Sequence, residues 1–129
     1  MCIFCKIVNK EIPAKIVYED DYVISFLDIN PRSKGHTLVV PKKHYERFDE
    51  LPDEELCKLM VGVKKTIEIL KKLNFKGYNI VNNNGRAAGQ EVDHVHIHII
   101  PRYGEEEAVK FGEVQKNLDL DEVYKILKS

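Results

Sequence analysis

The chain has 129 residues, enough for one domain (1–129) that buries a core without disulfides. Its 20 basic and 21 acidic side chains leave a net charge of −1, which removes the electrostatic case for nucleic acid or a membrane surface as partner. Charged residues begin by Lys6 and Glu11, no apolar run reaches the roughly 20 residues of a membrane span, and three cysteines build no disulfide framework, so a soluble cytoplasmic protein is expected.

In chain order, Cys2 and Cys5 open the sequence as a C-x-x-C pair. A metal on the two thiols, or burial of Phe4 and Ile7, would tie down a chain end that otherwise frays. A redox C-x-x-C should follow a strand, and this one starts the chain. Residues 16–19 and 22–27 read as two strands, with acidic residues 19–21 turning between them. Residues 28–35 form a loop broken by Pro31 and Gly35, and 36–40 read as a third strand that Pro41 ends. His44 follows in a short basic segment.

Pro52 suits the first turn of a helix, and Asp53, Glu54 and Glu55 favour its positive end. Leu56, Leu59, Met60, Val63, Ile67 and Leu70 recur at three- and four-residue steps and mark one apolar face, ending near Leu73 and Asn74. Cys57, in the same pattern, is expected to be a small buried residue. Lys64, Lys65, Lys71 and Lys72 read as a solvated surface. Residues 77–81 form a fourth strand, joined by the polar loop 82–90 to an antiparallel partner at 94–100, which Pro101 ends. Beyond it an acidic run begins at Glu105. Asp119, with Glu122 three residues on, resembles a capping box for a final helix with Val123, Ile126 and Leu127 as its apolar face. The pattern predicts an α+β fold: a mainly antiparallel β-sheet with one long helix and a short C-terminal helix, the helices against one sheet face.

The chemistry concentrates in His94-Val95-His96-Ile97-His98-Ile99-Ile100, which holds three of the five histidines at alternate positions. Strand alternation puts the imidazoles on one face and Val95, Ile97 and Ile99 on the other. In a regular strand like-facing side chains stand about 6.6 Å apart, a spacing that suits a row along a polyanionic ligand and is too wide for three ligands of one metal. In the preceding loop, Gly85 and Gly89 let main-chain N–H groups approach a ligand, and Asn83 and Gln90 add amides. Donors around a phosphate are what phosphoryl transfer requires. His96, flanked by an imidazole on each side, is the best placed nucleophile, with His98 donating to a phosphate oxygen or the leaving group.

The heptapeptide matches the histidine triad (HIT) signature, His-φ-His-φ-His-φ-φ with φ apolar. Cys2-Ile3-Phe4-Cys5-Lys6-Ile7, Glu11-Ile12-Pro13-Ala14, Phe26-Leu27-Asp28-Ile29, the stretch from Gly35 to Lys42, and Asn83-Asn84-Gly85 through Gly89-Gln90 resemble that family in the same order. The most similar branch is the Hint-like one, with the small prokaryotic HIT hydrolases. The resemblance implies the HIT-like fold and a nucleotidyl hydrolase. His96 attacks the α-phosphate of a purine ribonucleotide, forms a covalent nucleotidyl-histidine, and a nucleoside monophosphate is released. Adenosine phosphoramidates, such as a lysine adduct of AMP, are the implied substrates. Dinucleoside polyphosphates are the alternative within the same chemistry, and a non-catalytic nucleotide- or zinc-binding regulatory module is the alternative outside it.

By the same resemblance His98 contacts the phosphate and His36 supports the site from the neighbouring strand. Asp28 holds the ribose hydroxyls, for which an ionised acceptor is suited. Phe4, Ile7, Ile12 and Ile29 enclose the base, and Asn83, Gly89 and Gln90 serve the phosphate and leaving-group side. Cys2, Cys5, His44 and His94 form a closed Cys2His2 set for structural zinc. No catalytic metal or organic cofactor is implied. Family members of this kind are usually homodimers paired through the long helix and the adjacent strand, and Leu59, Val63 and Ile67 are apolar enough for a core or an interface. The sequence departs from the Hint pattern at Glu91, where many Hint proteins have serine, and in its longer end at 102–129. Both departures leave the leaving group open.

Overall fold

The computed structural model describes residues 2–104 and 107–129, and in it five strands form one antiparallel sheet in the order β1-β2-β3-β5-β4. These are β1 (Ile16–Glu19), β2 (Val23–Leu27), β3 (Thr37–Pro41), β4 (Gly77–Val81) and β5 (Ile97–Arg102). Met1 and the first two acidic residues of the expected run, Glu105 and Glu106, lie outside the described residues. The β1–β2 turn is built on Asp20, whose Oδ1 accepts from the N–H groups of Tyr22 and Val23 at 2.8 Å each.

Helix α2 (Asp53–Leu70) covers one face of the sheet. Leu59, Val63, Ile67 and Leu70 pack with Val23, Val39, Val95, Ile97 and Ile99 in one buried cluster. The approach is close at Gly62, where an added Cβ would meet Val23 Cγ1 at 2.7 Å. Pro52 stands one position before the helix as its N-cap, and a tighter turn (Lys71–Leu73) ends it at Asn74, which takes the left-handed conformation (φ 57°). Cys57 is exposed rather than buried. At 100° per residue it lies about 240° round the helix from Val63, so it belongs to the solvent side.

The other face is covered by a helix the periodicity does not reveal, α1 (Ile3–Val8). Phe4 and Ile7 pack there on Ile24, Phe26, Leu38 and Val40. The helices therefore do not share one sheet face. α3 (Leu120–Lys128) is exposed along its length, with its expected apolar residues Val123, Ile126 and Leu127 in solvent. Asp119 caps it by accepting from the N–H groups of Asp121 and Glu122.

Pro101 does not end β5: the strand continues to Arg102, with Pro101 opposite Tyr78. β3 flanks β5 only over Ile97–Ile99, so by Pro101 that side is open and the missing N–H breaks no ladder bond. Among the described residues no helix is long and apolar enough to cross a membrane.

Candidate functional site

The histidine run is less regular than strict alternation predicts. β5 starts at Ile97, because Val95 gives its N–H to the carbonyl of Tyr45 and His94 gives its own to Val92. The inward and outward assignment survives, since Val95, Ile97 and Ile99 are buried under α2. The spacing does not. The rings of His96 and His98 are 5.0 Å apart, and His94 turns away toward His44, 4.8 Å between centroids.

Each ring has its tautomer assigned by its partners. His94 Nε2 lies 2.8 Å from the carbonyl oxygen of Pro41, so it carries the proton and leaves Nδ1 with a lone pair. His96 Nδ1 lies 2.7 Å from the carbonyl oxygen of His94, so Nδ1 donates and the lone pair is on Nε2. The His96 carbonyl is in turn held by the Asn82 side-chain amide at 3.0 Å. His36 Nδ1 accepts the Arg32 N–H at 2.9 Å, which puts the proton on Nε2, 2.9 Å from His98 Nδ1 and 3.5 Å from Asp28 Oδ2. His98 therefore accepts at Nδ1 and presents an N–H at Nε2. Burial pushes His98 down from the ordinary 6.5 to about 4, helped by the neighbouring His96 and His36. Burial also lowers His36, against the pull of Asp28. Both rings are held neutral, as this hydrogen-bond chain requires.

Asp28, His36 and His98 offer ligand atoms within 4.8 Å of one another, close enough for a metal ion. The Arg32 N–H argues against one. With Nδ1 of His36 already accepting, Nε2 bears the ring proton and has no lone pair to give.

Two adjoining clefts meet at the histidines. A polar one of about 600 Å³ is lined by Arg32, His36, Asn83, Gly89 and Val109, among others. An apolar one of about 740 Å³ is lined by Phe4, Ile7, Ile12, Phe26, Ile29 and Leu38, among others. Asp28, Asn30, Glu91, His96 and His98 line both and form the seam. Phe4 sets its ring edge-on to His96 at 5.1 Å, so α1 builds a wall of the apolar cleft.

Behind that wall, Cys2, Cys5, His44 and His94 converge. His94 Nδ1 is 3.4 Å from Cys2 Sγ, 3.6 Å from Cys5 Sγ and 3.2 Å from His44 Nδ1, and Cys5 Sγ is 3.3 Å from His44 Nδ1. The edges of a tetrahedral S2N2 zinc site, from Zn–S near 2.3 Å and Zn–N near 2.05 Å, are about 3.3–3.8 Å. The donor set fits: two thiols and two imidazoles, of which His94 has its free nitrogen fixed by the Pro41 carbonyl.

All but one of the residues expected in the nucleotide site are brought to the clefts. Ile29 contributes at the rim, being 89% exposed. Gln90 is the one turned away. Its buried amide accepts from the Gly85 N–H at 2.7 Å and donates to the carbonyls of Glu46 and Val92, at 2.7 and 3.1 Å. It shapes the loop that presents Gly89, whose φ of +89° favours glycine. Sequence reasoning misses Asn82 and the Arg32 main chain, which act through backbone contacts that leave no side-chain pattern.

A model of the HIT domain matches residues 9–105. A HIT-like protein of Methanocaldococcus jannaschii, itself described as uncharacterised, is 77% identical over 129 residues, 99% of either chain. An adenosine 5′-monophosphoramidase of Saccharomyces cerevisiae is 40% identical over 127 residues, covering 98% of this chain and 78% of that one. The crystal structure of a HIT family member from Bacillus subtilis superposes with a TM-score of 0.85 at 43% identity, covering 98% of this chain and 94% of that one. The antiparallel sheet and the long helix agree with that match, and the chain belongs to the HIT family.

Proposed function

We propose that this protein is a nucleotide hydrolase that cleaves adenosine phosphoramidates through an adenylyl-His96 intermediate. The observation that carries the reading is the 2.7 Å contact of His96 Nδ1 with the His94 carbonyl, which frees Nε2 at the seam of the two clefts. The yeast relative's activity supports the choice of substrate class.

In this reading the base lies in the apolar cleft between Phe4, Ile7, Ile12 and Ile29. Asp28 accepts from the ribose hydroxyls, and Asn83 and the Gly89 main chain donate to the phosphate. Nε2 of His96 attacks phosphorus and the bond from phosphorus to the leaving nitrogen breaks. The amine takes a proton from solvent. The adenylylated ring is cationic, and its Nδ1–H bond to a carbonyl strengthens with that charge. The His98 Nε2–H, oriented by His36, holds a phosphoryl oxygen where charge builds up. Water then attacks phosphorus, releases AMP and a proton, and returns the lone pair to His96.

Cys2, Cys5, His44 and His94 would hold zinc as a structural tie, fastening α1 to the residue whose carbonyl orients His96. A homodimer is supported by Tyr78 and Ile80, exposed on edge strand β4 beside a groove that includes Met60 and Ile67 of α2.

The test is AMP release from adenosine 5′-phosphoramidate by the unmodified protein and by His96→Ala. The proposal expects a loss of about 10⁴-fold or more on removing the nucleophile. Release that persists in the variant would reject the assigned nucleophile. No release by the unmodified protein would reject the substrate class.

A further inference from the structure

We infer that Glu91 selects the leaving group, favouring phosphoramidates whose departing amine carries a further positive charge. The inference rests on the hydrolase reading and adds a substrate class to it.

Glu91 is an exposed carboxylate that lines both clefts, together with His96 and His98. The two acidic residues of this part of the loop differ in their surroundings. Asp93 is paired with Arg86 at 3.0 Å, whereas among the described residues no hydrogen bond or ion pair engages the Glu91 carboxylate. Of the seam's other acidic group, Asp28, one oxygen is 3.5 Å from His36 Nε2. Asp28, beside the neutral His36, also accepts from the Asn30 N–H, and Arg32 is the cation of the polar cleft; Glu91 is the seam carboxylate that no group engages among the described residues, and it shares the seam with His96.

A carboxylate there acts on two kinds of leaving group with opposite sign. It attracts an ammonium beyond the departing nitrogen, and it repels the phosphates of a polyphosphate leaving group. At a solvated cleft this is worth about a factor of ten for one charge at contact distance, and it weakens with salt. A neutral leaving group and the uncharged base carry no charge for it to act on. Polyamines and other diamines, which keep a second ammonium after one nitrogen is joined to phosphorus, have the matching chemistry.

The experiment uses three substrates: AMP joined to propane-1,3-diamine, AMP joined to butylamine, which has the same length and no second charge, and diadenosine tetraphosphate. The ratio of kcat/KM for the diamine over the butylamine adduct is measured for the unmodified protein, Glu91→Gln and Glu91→Asp. The expected ratio is about ten in the unmodified protein, near one in Glu91→Gln and partly kept in Glu91→Asp, falling as salt rises. Glu91→Gln should also gain several-fold on diadenosine tetraphosphate relative to the butylamine adduct. A ratio that is the same in the unmodified protein and in Glu91→Gln overturns the role of Glu91 and leaves the hydrolase reading standing. An unmodified protein that cleaves none of the three overturns both.

Discussion

The carbonyl of His94 lies 2.7 Å from Nδ1 of His96, so a single residue joins two sites by its two ends. Its ring faces Cys2, Cys5 and His44, and its main chain sets the tautomer of the candidate nucleophile. The cysteine cluster and the His96 ring are thus joined through His94.

Replacing Cys2 and Cys5 by serine is expected to abolish stoichiometric zinc in the purified protein and to lower the melting temperature by several degrees, since binding energy at a structural site is folding energy. KM for the nucleotide should rise more than kcat falls, because Phe4 and Ile7 ride on the helix that the metal would tether. Metal analysis and calorimetry check this. Zinc retained at one equivalent after both replacements would place the metal elsewhere.

Stability should fall on acidification through His98. Its folded-state pKa is about 4 against an ordinary 6.5, so below pH 6.5 the unfolded chain takes up a proton that the folded chain refuses. The contribution is intact above pH 6.5 and is lost as pH drops toward 4, up to about 3 kcal/mol at 1.36 kcal/mol per unit. His36, also lowered by burial, acts in the same direction. Urea midpoints at pH 7 and pH 4.5 should differ less in His98→Gln than in the unmodified protein. Equal differences would remove His98 as the source.

Ile80→Asp is expected to convert a dimer to a monomer that still folds, because Ile80 is half exposed in the single chain, at 49%, with the melting temperature lowered by the lost association. Light scattering of the unmodified protein and the variant decides it. An unmodified protein with the mass of one chain would contradict the dimer.

Much of this arrangement was legible in the sequence for a physical reason. Period-two alternation at 94–100 and the three- and four-residue steps of α2 follow from which face each element buries, and burial is written in side-chain type. The α1 helix was not legible, because six residues are too few to show a period and its stability comes from seating Phe4 and Ile7 on the sheet. Pro101 stays inside β5 because the cost of a proline depends on whether its strand has a neighbour on that side. Cys57 is exposed because position within a helix decides burial before residue type does. Gln90 read as a ligand-facing amide, yet its loop needs three main-chain partners more than the cleft needs another donor. The tautomers were beyond sequence, since they depend on the carbonyls of Pro41 and His94 and the N–H of Arg32.

The most direct measurement is to trap the intermediate. The protein is mixed with adenosine 5′-phosphoramidate, quenched in alkali to preserve the phosphorus–nitrogen bond, digested, and mapped by mass spectrometry. An adenylyl group on His96, absent from His96→Ala, is the predicted result. Rapid AMP release with no adduct at His96, or an adduct on another residue, would contradict the assignment of the nucleophile.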